Sequence, residues 1–374
     1  MNISLAPPDG SLRYSDTSDH FENGVLRLMN LSREEFDRWL ALAAHSEEPV
    51  VLERLREGWE LLRPPPAAPV NGAGSPATNG PVGPGPRGLK GRLWHAAIAE
   101  TPSHGVAVCD DASHGWLVRW DGERFVRETE PPSYEEEYFE GDKLRAGGYG
   151  DYTAQAGWRL EKAARQVREL RARTGVHAGR VLDIGSGYGF FRVALGEAGY
   201  EHDGLEVSEF ARRVASERYG LETYAGTLEE HWGGWESRYD AVTLFDLIEH
   251  LDAPERFLEQ IASVLAPGGV LGIKTPNLDC PEAEVFGPHY HSLKREHLSF
   301  FSAGSLTAAA VAAGFEPVHV TTSSHLLVGF VGPEQTRAWE RQLRGADLAA
   351  WYRVAPPVVG EGAAKERSAS GRVE

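Results

Sequence analysis

Cysteine is nearly absent from this 374-residue chain, with only Cys109 and Cys280 present. That excludes a disulfide framework and a zinc cage built from cysteines. Positive charge is also scarce: 38 Lys and Arg stand against 55 Asp and Glu, a formal net charge of −17. Nucleic acid and anionic membrane both need clustered positive charge, so neither is an expected partner. No run of about 18 apolar residues occurs, which argues against a membrane-spanning helix. The opening MNISLAPPDG has no basic stretch followed by an apolar one, so no secretory leader is read there. A soluble cytoplasmic protein is expected. The composition is 41% hydrophobic and 25% charged, enough for a sizeable core, and the length allows two domains at roughly 150 residues each.

The chain divides where composition shifts. Residues 1–63 carry two short helical patterns. In the first, Ser32 and Glu35 form a capping box ahead of Phe36, Trp39, Leu40 and Ala43. In the second, Leu52, Leu55, Trp59 and Leu62 recur at helical spacing. Residues 64–90 are dense in Pro, Gly and Ala and read as a flexible linker. Residues 91–130 read as a small β-rich segment, with GVAVCDD and GWLVRWDGERFV as strands around a polar turn. A long amphipathic helix is predicted over about 153–174. From there to about residue 332, β-branched runs alternate with helical stretches, the pattern of βαβ units and a mostly parallel sheet. Residues 131–335 are thus read as one domain, 336–354 as a C-terminal helix and 355–374 as a disordered tail.

The strongest local signal is Val181-Leu182-Asp183-Ile184-Gly185-Ser186-Gly187-Tyr188-Gly189. A buried strand runs into a turn with alternate glycines, and a helix follows. Glycine is needed where backbone approaches a ligand or takes positive φ. Glu206 comes 21 residues after Gly185, at the end of the next strand, HDGLEV, where an acid can grip ribose hydroxyls. A dinucleotide fingerprint would read G-x-G-x-x-G, but Phe190 occupies the third glycine position. Asp183, just before the first glycine, suits a ligand carrying an ammonium group better than a pyrophosphate. The turn therefore favours S-adenosylmethionine over NAD.

Four ordered segments carry a resemblance: VLDIGSGYGFF, GLEVSEFARRVA, TLEEHWGGWESRYDAVTLFDLIEHLDAPERFLEQIASVLAPGGVLGIKTPN, and KREHLSFFSAGSLTAAAVAAGFEPVHV. Together they resemble the class I S-adenosylmethionine-dependent methyltransferases, within the bacterial group related to the ubiquinone-pathway O-methyltransferases. The resemblance covers about residues 134–332. It implies an α/β, Rossmann-like fold: a seven-stranded, mostly parallel sheet sandwiched by helices, here with a separate small N-terminal α/β region. It also implies that Asp183, Gly185, Ser186, Gly187 and Gly189 cradle the amino-acid part of the cofactor, and that Glu206, with Val207 beside it, binds the ribose. Thr227 and Leu228 match the position beside the adenine. Phe245 and Asp246 match the floor of the methyl-transfer site. The segment PPSYEEEYFEGDKLRAGGYGDY resembles the lead-in that folds over the cofactor, which makes Tyr149 and Tyr152 lid candidates.

Methyl transfer is an in-line displacement at an already activated carbon, so alignment is the main task, worth roughly 7–11 kcal/mol. An oxygen or nitrogen nucleophile must also lose a proton, and a placed base adds about 10²–10⁴-fold. Asp246-Leu247-Ile248-Glu249-His250 and the later loop Gly287–His297 supply carboxylates and imidazoles. His250 or His297, with Glu249, can act as general base. Alternatively Asp246, Glu249, His250 and His297 can hold a divalent cation that polarises a hydroxyl pair, as mixed carboxylate and imidazole donors do. A third reading is structural: D-x-x-E-H caps the following helix and pairs with the basic loop. Asp246 stands where metal-using relatives tend to have glutamate, and its shorter side chain weakens the four-ligand set. Trp158, Trp232 and Trp235 read as aromatic core, with the cofactor side as the alternative.

Three functions follow. The first is methyl transfer from S-adenosylmethionine to O, N or C of a small metabolite; the Arg-, Ala-, Gly- and Pro-rich composition suits bacterial natural-product tailoring. The second is peptide or protein methylation, with residues 1–63 as a recognition module. The third is a non-catalytic S-adenosylmethionine-binding interaction protein. Trp39 and Trp59, if exposed, would favour a homodimer.

Overall fold

The computed structural model describes residues 91–95, 104–109, 115–120, 125–129, 134, 136–140, 152–286, 290, 292–324 and 328–355. The helical patterns in residues 1–63, the linker 64–90, Tyr149 and residues 356–374 of the expected tail lie outside them.

The main sheet has seven strands: β5 (Arg180–Ile184), β6 (Glu201–Glu206), β7 (Tyr224–Ala225), β8 (Tyr239–Phe245), β9 (Leu265–Pro276), β11 (Phe315–Ser323) and β12 (Asp347–Val354). Their spatial order is β11-β12-β9-β8-β5-β6-β7, parallel except where β12 runs antiparallel to both neighbours. The order reverses between β5 and β8, which opens a crevice at the carboxyl ends of those strands. The helices that cover the sheet are α2 (Ala156–Thr174), α3 (Phe190–Glu197), α4 (Glu209–Tyr219), α5 (Leu228–His231), α6 (Pro254–Val264), α8 (Ala303–Ala312) and α9 (Val328–Arg341), and the short α7 (Pro281–Phe286) follows β9.

Strand periodicity explains why both faces are covered. On β5, Leu182 and Ile184 enter one core cluster and Val181 the other; on β8, Val242 and Leu244 separate from Ala241 in the same way. Ala163, Val167 and Leu170 of α2 pack on one face with Phe190, Phe191 and Leu195 of α3. Leu258, Ile261 and Val264 of α6 pack on the other with Leu306 and Ala310 of α8. Helix α2 starts three residues later than predicted and ends at Gly175, whose φ of 74° lets its amide cap Arg171 O.

Two expectations are corrected. Residues 336–354 are not one helix: α9 ends at Arg341 and β12 fills residues 347–354. The run DLAAWYRV has helix-forming alanines, but it sits between two unpaired strand edges whose hydrogen bonds outweigh propensity. Its Trp351 lies opposite Gly272 of β9, where a Cβ would collide with the indole.

Nor is the N-terminal β-rich segment separate. Strands β1 (Gly91–His95), β2 (His104–Cys109), β3 (Gly115–Trp120) and β4 (Phe125–Arg127) form a small antiparallel sheet. That sheet is completed by β10 (Ser299–Phe300), which comes from the loop carrying His297. An open edge on β3 takes the strand most accessible to it. No helix among the described residues is long and apolar enough to cross a membrane.

Candidate active site

Between β5 and α3 the chain turns through Gly185, Gly187 and Gly189, with φ of 71°, 53° and 82°. L-residues pay for that left-handed backbone. A Cβ at Gly189 would also lie 2.5 Å from Leu221 Cδ1, and one at Gly185 would lie 3.0 Å from Leu247 Cδ1. The turn closes on the tip of β6. Gly185 and Ser186 N–H donate to Leu205 O (2.8 and 3.2 Å), and Gly189 N–H donates to Ser186 O (2.8 Å). Gly187 N–H donates to Glu206 Oε2 at 2.8 Å. With these four amides satisfied internally, the turn is not a phosphate nest. The hydroxyl of Ser186, by contrast, is buried with no partner among the described residues, so the turn suits a polar group brought by a ligand.

Glu206 is buried, and its second oxygen accepts from Ser208 N–H at 2.9 Å. Burial pushes its carboxyl up, while the amides of Ser208 and Gly187 oppose that. The expected ribose acid thus also organises the glycine turn. Val207 beside it is 49% exposed, an apolar surface at the end of β6. Asp183 is only 4% exposed and faces β8, where Thr243 Oγ1 donates to it at 2.8 Å. Burial pushes its carboxyl up to about 7, against the Thr243 hydrogen bond and the Arg192 charge. Thr227 caps α5 in a reciprocal box with Glu230, and Leu228 is wholly buried in the core. Both are held by the fold.

The lead-in lies across the turn. The Tyr152 ring sits edge-on to Tyr188 at 4.8 Å and under the Arg159 guanidinium at 3.6 Å. Its hydroxyl is 3.5 Å from where a Cβ on Gly187 would be. The short helix α1 (Glu136–Glu140) precedes it. Glu140 Oε1 of α1 accepts from Tyr188 OH and Thr153 Oγ1, both at 2.6 Å, which staples the lead-in to the turn.

At the carboxyl end of β8, Phe245 packs edge-on against Phe191 with centroids 5.0 Å apart. Asp246 takes φ of 57°, a rare conformation for a residue with a Cβ. Its carboxylate meets Lys162 Nζ of α2 at 3.6 Å. Burial works against ionisation there, but Lys162 and Lys274 outweigh it and hold the carboxyl low. Burial, with Lys274 alongside, pushes the Lys162 amine down to about 8. Nearby, the Trp158 indole N–H is buried without a partner among the described residues. Trp235 belongs to the core, stacked 4.9 Å from His231, whereas Trp232 is part-exposed in the short 3₁₀ turn before it.

Glu249, His250 and His297 converge, each offering one ligand atom within 4.8 Å of the others. Asp246 is not among them, so the expected four-residue set is corrected to three. The rings of His250 and His297 stand perpendicular, 4.9 Å apart. His250 Nδ1 lies 2.9 Å from Glu296 O, and His297 Nδ1 lies 2.8 Å from Ser292 O. A carbonyl only accepts, so each Nδ1 is placed to donate, and in a neutral ring that arrangement leaves the lone pair on Nε2. Burial pushes His250 down to about 4, leaving it neutral near pH 7. Burial and the Asp246 charge push Glu249 up to about 8, against a hydrogen bond donated by Thr275 Oγ1 at 2.9 Å.

Sequence reasoning missed Tyr134 and Lys162. The Tyr134 hydroxyl is 3.1 Å from His250 Nδ1. A tyrosine in the quoted lead-in was one available signal. Lys162 gave none, because a lysine on an amphipathic helix normally reads as a solvated face.

The reversed strand order, the glycine turn and the acid closing on it are the arrangement that the resemblance to class I methyltransferases leads one to expect. Residues 156–320 match the family model described as a methyltransferase domain. Similar proteins include a ubiquinone biosynthesis O-methyltransferase of Bordetella avium (strain 197N), 31% identical over 156 residues, which are 37% of this chain and 62% of that protein. The enzyme of the same description from Proteus mirabilis (strain HI4320) is 30% identical over 109 residues, covering 28% of this chain and 44% of that one. The chain therefore spans less than two thirds of the length of these curated relatives. Among solved structures, a SAM-dependent methyltransferase from Archaeoglobus fulgidus superposes with a TM-score of 0.42 at 18% identity, covering 54% of this chain and 98% of that one.

Proposed function

We propose that the protein transfers a methyl group from S-adenosylmethionine to an oxygen nucleophile of a small metabolite, in a natural-product tailoring context. Nitrogen and carbon nucleophiles remain the alternatives within the same chemistry. The carrying observation is the convergence of Glu249, His250 and His297 beside the crevice that opens past the glycine turn. That the relatives are O-methyltransferases supports oxygen as the acceptor atom.

S-adenosylmethionine supplies an electrophilic methyl group when bound. The turn, with the Ser186 hydroxyl, Asp183 and Glu206, receives its amino-acid and ribose parts, and Val207 offers an apolar face to its base. Tyr152 covers the turn and limits water. Since alignment supplies most of the rate enhancement, the acceptor needs to be held in line beside Phe245 and Asp246. The imidazoles then accept or orient the acceptor's proton through Nε2, with Tyr134 and the backbone carbonyls fixing the rings.

A second reading is favoured by the same donor set. Two imidazoles with Nδ1 placed against backbone carbonyls, plus a buried Glu249 carboxyl, have the ligand chemistry and outer hydrogen bonds of a divalent cation site. Glu249, His250 and His297 would hold the ion, and it would supply polarisation of an acceptor hydroxyl.

Calorimetric titration with S-adenosylmethionine, before and after EDTA, tests the proposal together with a methyl-release assay on phenolic acceptors. Binding is expected in both conditions, weakened more than tenfold in Glu206→Ala. His297→Ala should lower turnover with cofactor affinity unchanged. Absence of binding would overturn methyl transfer, and full turnover after EDTA would remove the cation reading.

A further inference from the structure

Two hydrogen-bond donors on one face of α2 are poorly matched by acceptors, and both belong to the neighbourhood of the carboxyl end of β8. Trp158 and Lys162 are four residues apart, about one helical turn, so they share that face. The Lys162 nitrogen is 5.5 Å from the centre of the indole ring, within cation–π range.

The Trp158 indole N–H is buried and has no partner among the described residues. A donor shut away from water without a replacement acceptor is uncommon, because the lost hydrogen bond is not made good. The Lys162 ammonium is only loosely engaged. Asp246 Oδ2 is 3.6 Å away, longer than a normal hydrogen bond. Burial and the charge of Lys274 both disfavour the ammonium form at this place.

The backbone ties these donors to the candidate active site. Asp246 follows Phe245, the last residue of β8, and its amide donates to Lys274 O at 2.8 Å. Its φ of 57° is strained for a residue with a Cβ, so the fold holds the carboxylate there against a local cost. The residues after it join the two halves of the site. Leu247 closes on the glycine turn, 3.0 Å from where a Cβ on Gly185 would be, and Glu249 and His250 belong to the converging trio. Lys162 thus meets the segment that links the turn to the imidazoles. The ion pair is open to solvent, with the Lys162 and Asp246 side chains 22% and 36% exposed.

We propose that Trp158 and Lys162 form a subsite for an acyl oxygen of the methyl acceptor, carried by a carboxylate or by a neutral carbonyl group. The proposal rests on the methyl-transfer reading and adds to it the part of the acceptor that does not react. An acyl oxygen only accepts, so it can meet two donors without bringing a proton of its own, as a hydroxyl would. A site with donors awaiting an oxygen rejects analogues that lack it, because the donors are then left buried and unpaired.

The test is calorimetry of the full-length protein saturated with S-adenosylhomocysteine. Three probes share a phenol ring: 3-hydroxyphenylacetate, its methyl ester and 3-ethylphenol, of which only the first two carry an acyl oxygen. At least one of those two should bind tenfold or more tighter than 3-ethylphenol, and the stronger tells whether the oxygen is a carboxylate's or a carbonyl's. Trp158→Phe removes the N–H and keeps an aromatic ring, and Lys162→Met removes the ammonium. Each should reduce the preference at least fivefold with S-adenosylhomocysteine affinity unchanged, a selective loss that a merely structural role would not give. No binding of either acyl probe, equal affinity for all three, or a preference unchanged in either variant would overturn this subsite alone. Failure of S-adenosylhomocysteine to bind would overturn the methyl-transfer reading and the subsite with it.

Discussion

Burial sets the chemistry of Asp183. With Thr243 Oγ1 as its hydroxyl donor and its carboxyl pushed up to about 7, the residue favours its protonated form more in the folded protein than in the unfolded chain. Between about pH 4 and pH 7 the unfolded chain releases a proton that the folded protein keeps, so stability falls as pH rises through that window. The whole effect is at most about 4 kcal/mol, and above pH 7 it no longer changes. Asp183→Asn keeps an acceptor for Thr243 and removes this term. The melting temperature of the variant minus that of the wild type should therefore grow from pH 4 to pH 7 and then level off. A constant difference would mean that Asp183 ionises at its ordinary value. A bound ammonium group would favour the ionised form, which is how an acid costly to the fold can serve a sulfonium cofactor.

At the scale of elements, the pairing of β10 with β3 fixes the loop that carries His297. Ser299 and Phe300 align with Trp116 and Gly115, and Leu117 N–H donates to Leu298 O at 3.0 Å. On the other side Ser299 Oγ donates to Leu251 O at 2.7 Å, so the chain around His297 is held between β3 and the loop of His250. Leu117 is fully buried in this arrangement. Leu117→Ala should destabilise the protein by about 2–5 kcal/mol. It should also lower turnover at temperatures where the protein remains folded, with cofactor affinity close to wild type. Denaturant unfolding and steady-state kinetics separate the two effects; turnover unaffected at full folding would mean that the sheet does not hold the loop. The glycine turn has the opposite character, because its bonds run to the adjacent β6 and need nothing from the small sheet.

For the whole molecule, cofactor binding and folding are linked. A ligand that binds only the folded state adds about 2.7 kcal/mol at a free concentration 100 times its dissociation constant. S-adenosylmethionine and S-adenosylhomocysteine should each raise the melting temperature in proportion to the logarithm of concentration above that constant. A melting temperature unmoved by either would oppose the cofactor assignment. The expectation of a separate β-rich segment gave way at this scale too, since one strand of the small sheet, β10, comes from the residues that match the methyltransferase-domain model.

The glycine turn was legible from residues 181–189 because positive φ and close approach restrict residue choice locally. The parallel sheet was legible from strand and helix periods, and the acid of β6 from its distance to the turn. Contacts between segments far apart in the chain were not. Arg127 reaches the Asp252 carbonyl across 125 residues, and Lys162 of α2 reaches Asp246 at the end of β8. The strand 347–354 was hidden for the same reason: alanines there favour a helix, and only the edges of β9 and β11 make extended backbone the better choice. Local backbone requirements and hydrophobic period were written in the sequence itself, whereas the meeting of Glu249, His250 and His297 was decided by tertiary pairing, which has no period to read.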